Sequence, residues 1–234
     1  SDIYDSTPLY AHDDFVSGLF GQATNPANRW FQLGNDDPDL ASWKPVKDWL
    51  YSVSLIIDRT FRPGVSPFYA EVPSWFADVG AFGNGALFTE EDTARGTILD
   101  RAIPLHQLYI DRDRYNEVDT VHREFRMPRR LAARQFGAIE GLDGDKPGEI
   151  TLVHAVFANP KHNPAKADSK AFISAYVSPD IKALYRVSGD REMPYHVPGW
   201  ARGAGRVWSR GPGHRARADM RTLNEMERTH LVAA

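Results

Sequence analysis

The hydrophobic period of this 234-residue sequence changes twice. Up to about residue 85, apolar residues recur at three- and four-residue steps, the spacing that lines one face of a helix. Beyond it they fall into short runs rich in β-branched and aromatic residues, separated by turn-forming clusters. A last helical pattern closes the chain. This order predicts an α+β fold. Its parts are a helical region over 1–85, a β-rich region over 86–200, a loop over 201–213 and a final helix over 214–234.

Within the helical region, "HDDFVSGLFGQA" (12–23) places Phe15, Leu19 and Phe20 at helical spacing, with Asp13 and Asp14 suited to the positive end of the helix dipole. A second pattern, Trp43, Val46, Trp49 or Leu50, Val53 and Ile56 or Ile57, spans Leu40 to Phe61. Pro45 is tolerated only in a first turn, so this helix should begin near Lys44. From Pro67 to Phe82 a third apolar stretch carries Pro73 in its interior, which predicts a kink or a break. The tryptophans and phenylalanines at 30, 31, 43, 49, 75 and 76 read as core residues on apolar helix faces rather than as a stacking platform for bases.

In the β-rich region, "HQLYIDRDRYNEVDTVHREFRM" reads as a hairpin turning at "DRDRYNE". "PRRLAARQFG" is a short helix between a proline start and a Gly137 stop. "EITLVHAVFAN" and "AFISAYVS" are the clearest strands, joined by the polar loop "NPKHNPAKADSK"; "ALYRVSG" and "MPYHVPGW" complete the region.

The chain holds no cysteine, which removes disulfides, thiolate metal sites and cysteine nucleophiles together and fits a reducing compartment. It has no run of about 18 apolar residues that would span a membrane, and its first ten residues lack the basic start and apolar core of a signal peptide. Charge is unevenly spread. From Trp200 onward, seven arginines face three carboxylates, a net +4; against a total of −3, residues 1–199 therefore carry −7. Such a basic end suits either a nucleic-acid contact or a solvated, subunit-facing helix.

Catalytic motifs are missing. The eight histidines form no HxH or HExxH pattern, and His154 and His162 read as edge-strand or surface residues. "HDD" at 12–14 points its three side chains in different directions on a helix. "GAFGNG" lacks the Lys-Ser/Thr of a phosphate loop, and no GxSxG elbow occurs. "RGPG" could offer backbone N–H groups to an anion, but Pro212 removes one donor, so a tight turn into the last helix is its expected role. On residue patterns, the chain reads as a structural or assembly element, without catalytic residues, metal or cofactor. A DNA-binding module using the C-terminal arginines is the alternative, and a hydrolase relying on His154 or Asp13 is a third.

"PYHVPGW" followed by "SRGPG" and "ADMRTLNEME" resembles the portal proteins of podovirus-type bacteriophages, also called head-to-tail connecting proteins. The N-terminal Asp5-Ser6-Thr7 and Arg29-Trp30-Phe31, together with "GNGALFTEED" and "VHREFRMPRRLAARQFG", extend the resemblance over essentially the whole chain. Three places depart from the family's usual pattern: Gly199 stands where an arginine is common, and Gly205-Arg206 and Trp208-Ser209 replace Gly-Glu and Tyr-Gly pairs. Family members are longer at both ends, so the sequence looks like a piece of a larger chain.

The resemblance implies a portal wing over 1–213 feeding the start of a long stem helix at 214–234 through a turn at Gly211, Pro212 and Gly213. It implies a homo-oligomeric ring, a dodecamer in the family, at the capsid vertex of the virion, assembled in the bacterial cytoplasm. Its partners would be the major capsid protein, a tail adaptor and the terminase large subunit, with double-stranded DNA passing without sequence specificity and no membrane or cofactor involved. Candidate inter-subunit or channel-facing residues are Arg215, Arg217, Arg221, Glu225, Glu227 and Arg228, with Met220, Leu223, Met226 and Leu231 as a packing side. A ring closed by rotation needs two unlike, complementary faces on each subunit, and a conduit for DNA must avoid a uniformly basic wall that would grip phosphates.

Overall fold

The computed structural model describes residues 3–137 and 139–233. Its elements run α1 (Thr7–Ala23), α2 (Pro38–Ser42), α3 (Lys44–Phe61), α4 (Phe68–Phe82), β1 (Leu87–Asp92), β2 (Thr97–Ala102), a 3-10 turn (Leu105–Gln107), β3 (Leu108–Arg112), β4 (Val118–Pro128), α5 (Arg129–Phe136), β5 (Glu149–Ala158), β6 (Phe172–Ser178), β7 (Ala183–Asp190), β8 (Tyr195–His196) and α6 (Pro212–Ala233). The fold is mixed α+β. The chain divides into two compact units, one made of Ser1–Ala102 with Pro198–Ala234, the other of Ile103–Val197.

The first unit is organised around α4. Phe68, Val72, Phe76 and Val79 recur at steps of four, four and three, and all are buried. Leu87 joins them, with Val16, Leu19, Phe20, Trp30 and Phe61 packed around the cluster. Trp30 stacks on Phe68 at 5.9 Å and 9°, and its indole N–H donates to the Tyr69 hydroxyl at 3.1 Å. Pro73 does not break this helix. A mid-helix proline costs about 3 kcal/mol, whereas each large apolar side chain buried on this face contributes roughly 1.5–3 kcal/mol, so packing outweighs the lost ladder bond.

Polar groups tie the neighbouring segments to that core. Ser54, fully buried on α3, donates to the Leu50 carbonyl and accepts the Leu33 N–H, pinning the segment before α2. The β1–β2 hairpin is held by buried Asp100, which accepts the hydroxyls of Ser66 (3.2 Å) and Thr89 (2.7 Å). Glu71 of α4 accepts the Ala102 N–H at 2.7 Å.

The second unit is a five-stranded antiparallel sheet in the order β3-β4-β5-β6-β7, so each strand pairs with its sequence neighbour. Alternation along β5 buries Ile150, Leu152, His154 and Val156. Ala132 of α5 packs on Ile150 and Leu152, with Phe125, Met127, Phe136 and Tyr185 around them.

Several expectations are corrected. α1 begins at Thr7, with Pro8 in its first turn, so Asp13 and Asp14 lie mid-helix, away from the dipole's positive end. α6 starts at Pro212, two residues before His214. Trp30 and Phe31 lie between α1 and α2 rather than on a helix. Trp43 and Trp49 are not core at all: they are 58% and 64% exposed. His154 is neither an edge-strand nor a surface residue; it sits on the central strand β5 and is buried.

Candidate functional site at the root of the C-terminal helix

α4 ends on Gly83, whose φ of 84° lies in the left-handed region and whose N–H donates to the Val79 carbonyl at 2.9 Å. Glycine adopts this conformation without steric cost. Across this end passes the segment that starts α6. A Cβ on Gly211 would lie 2.6 Å from the Gly83 nitrogen and 2.7 Å from the Gly80 carbonyl oxygen, and one on Gly213 would lie 2.6 Å from the Ala81 carbonyl oxygen. The two helices therefore meet backbone to backbone, and only glycine fits. Pro212 between them occupies the first helical position, where its missing N–H is no loss. The Gly211 N–H is satisfied by His214 Nδ1 at 3.3 Å, so the turn serves close packing rather than anion capture.

Asn84 fixes the crossing. Fully buried, its side chain accepts the Ser209 N–H at 2.6 Å and donates to the Pro198 carbonyl at 2.9 Å. The Trp200 N–H donates to the Gly83 carbonyl, and the Arg210 N–H to the Ala201 carbonyl, both at 2.8 Å. Trp200 meets Phe15 of α1 edge-on at 5.6 Å. Gly199 pairs with Asn84 and lies so close to Ser209 that a Cβ would run into the Ser209 side chain. The departures at 199 and 209 thus touch each other.

Beyond this root, α6 has no buried residue. A second anchor lies at Asn224, whose side-chain oxygen accepts the N–H groups of Tyr4 (2.7 Å) and Asp5 (3.2 Å). Asp5 in turn accepts hydrogen bonds from Thr7, which hold its carboxyl below the usual carboxylate range. Arg215, Arg217, Arg221, Glu225, Glu227 and Arg228 are all exposed. Of these six, the structure joins Arg228 and Glu225 in an ion pair at 3.1 Å. In water that pair contributes at most about 0.5 kcal/mol. Leu223, Met226, Leu231 and Val232 are exposed as well. The helix is held at one end and by Asn224; Met220 is half-buried, and most of the remaining surface is exposed.

The residues considered for catalysis are not assembled. His154 Nδ1 lies 2.7 Å from the Tyr195 hydroxyl and Nε2 2.9 Å from that of Ser174, and its ring stacks on Tyr176 at 3.9 Å. Burial, with Arg123 and Arg186 nearby, pushes its pKa down to about 3, so it stays neutral. His162 is exposed and bonds Ser169. Among the described residues, no group of His, Asp and Glu is placed to hold a metal ion. No helix there is long and apolar enough to cross a membrane.

Gly80, Gly83 and Asn84, which complete the root, and Asn224 beyond it were given no role by sequence reasoning, and Gly199 and Ser209 were marked only as departures from the family pattern. The glycine density of "GAFGNG" was the available signal, and it marked only a change of direction.

A family profile described as "Bacteriophage head to tail connecting protein" matches residues 1–234. The portal protein of Salmonella phage epsilon15 is 30% identical over 210 residues, covering 85% of this chain and 37% of its own length. The probable portal protein of Bordetella phage BPP-1 is 27% identical over 235 residues, covering 95% of this chain and 42% of its own. The chain thus spans about two fifths of the length of these curated relatives.

Proposed function

The chain belongs to the bacteriophage head to tail connecting proteins, and from that premise we propose that it is the wing and the first stem turns of a portal subunit. Twelve or so such subunits, the family's usual number, would ring the capsid vertex, form the passage for genome packaging and ejection, and join head to tail. The subunit is structural rather than catalytic. Residues 1–213 act as wing, and 214–234 begin the stem. The observation that carries this reading is α6: a 22-residue helix clamped to α4 by bare backbone and left without one buried residue. A helix amphipathic enough to expose Leu223, Met226 and Leu231 and charged enough to carry Arg221, Glu225, Glu227 and Arg228 is completed by copies of itself beside it.

On this reading Arg217, Arg221 and Arg228, at i, i+4 and i+11, form one stripe, and Glu225 and Glu227 flank it for pairing between subunits. Arg215 points away from that stripe, toward the channel or solvent. The capsid protein, a tail adaptor and the terminase large subunit are the partners this role requires. Negative-stain electron microscopy of the full-length subunit tests it: closed rings with a central hole about as wide as a DNA duplex are expected, and a monodisperse monomer at high concentration contradicts it.

A further inference from the structure

The first unit carries two unlike apolar surfaces. One is a groove of about 810 Å³ between α1, α4 and α6, lined by Pro8, Leu9, Phe82, Met220 and Leu223, with Arg217 at its edge. Leu9, Phe82 and Leu223 are 53%, 57% and 44% exposed. Arg217 makes one side of the groove basic and Asp219 lines the other; Arg221, one helical turn beyond Arg217, lies outside the lining. The α1 carboxylates Asp13 and Asp14 do not line it. The other surface is the knob at α2. Leu40 and Trp43, three residues apart, are both exposed, while Asp36, Asp37 and Asp39 place three negative charges within the preceding turn. Asp37 spends one oxygen capping α2, on the N–H groups of Asp39 and Leu40, which fixes the knob's shape without neutralising it.

We infer that the α2 knob of one copy seats in the α1–α4–α6 groove of the next. This rests on the ring reading above and names the contact that closes the ring. An apolar hollow receives the leucine and the tryptophan, a residue that buries ~150–250 Å² on docking. The acidic turn meets the arginine edge, and charge of opposite sign sets the register. Because knob and groove are different surfaces of the same subunit, the contact is heterologous and repeats around a rotation axis instead of stopping at a dimer.

These 234 residues hold no cysteine, so thiols introduced into the knob and the groove meet no native thiol within either surface. The experiment combines Trp43→Cys and Leu223→Cys in the otherwise wild-type full-length subunit, checks the fold by circular dichroism, measures assembly by native mass spectrometry, and oxidises at high protein concentration. A ladder of covalent oligomers in the double variant, with neither single variant giving more than dimers, is the expected result. Substituting Asp36, Asp37 and Asp39 by Lys should weaken association roughly 100-fold or more, and adding Arg217→Glu and Arg221→Glu should restore it. Rings that form without a ladder overturn the knob-in-groove contact while leaving the ring reading intact. Efficient cross-linking of W43C to itself overturns it in favour of a two-fold contact. A full-length subunit that stays monomeric throughout contradicts the ring reading and this contact with it.

Discussion

The side chain of Asn84, at the end of α4, holds the backbone N–H of Ser209, just before α6, at 2.6 Å. Its amide nitrogen reaches the Pro198 carbonyl, so one fully buried residue satisfies backbone groups from both segments that bracket the loop into α6. Replacing Asn84 with Ala leaves the buried Ser209 N–H and the part-buried Pro198 carbonyl without this partner. A loss of about 2–4 kcal/mol is expected from the two unmet groups, read as a shift of the urea midpoint at unchanged slope.

Glycine matters at this root for space. Gly211→Ala or Gly213→Ala forces a Cβ against the backbone of α4 and should cost about 1–3 kcal/mol or more. Gly18→Ala and Gly21→Ala are the controls. Both lie inside α1 with open space where a Cβ would stand, and each should stabilise by about 0.5–1 kcal/mol. Thermal denaturation of the four variants separates the two classes by sign.

Gly199 and Ser209 form a coupled pair. Gly199→Ala alone collides with the Ser209 side chain; Ser209→Gly alone removes a buried hydroxyl that has no hydrogen-bond partner. The double variant should recover most of the stability lost by Gly199→Ala. A double-mutant cycle is expected to show a coupling of about 1 kcal/mol or more, and strict additivity would refute the contact.

His154 makes the second unit sensitive to acid. Its folded pKa is about 3, below the ordinary 6.5, so folding favours the neutral ring. Above pH 6.5 the contribution is fully present. As pH falls from 6.5 toward 3, the unfolded chain takes up a proton that the folded chain refuses, and stability drops by up to about 1.4 kcal/mol per pH unit. Chemical denaturation of wild type and His154→Gln across this range should show the slope difference, with the variant flatter.

Local chemistry made much of the fold legible. Pro45 located the start of α3 because proline fits only a first turn, and Asp111–Glu117 marked the β3–β4 turn, two residues early at its start, because polar turn formers interrupt an alternating run. What depended on distant residues stayed hidden. His154 is buried through partners 20 and 41 positions away, and Asn84 through partners 114 and 125 away. Trp43 and Trp49 show the remaining ambiguity: an apolar helix face is the same pattern whether its own chain or a neighbouring copy covers it. The arginines and glutamates of α6 were legible as a polar helix surface, but the glycine crossing that aims the helix required coordinates.

The central claim is that α6 is completed by neighbouring copies, and amide hydrogen exchange over residues 221–233 measures this most directly. The comparison is between the assembled full-length subunit and the isolated 234-residue chain at a concentration where it is monomeric. Slow exchange in the assembly and exchange at least ~10-fold faster in the monomer are predicted, because an end helix without tertiary packing frays. Equal exchange in the two states would contradict the account.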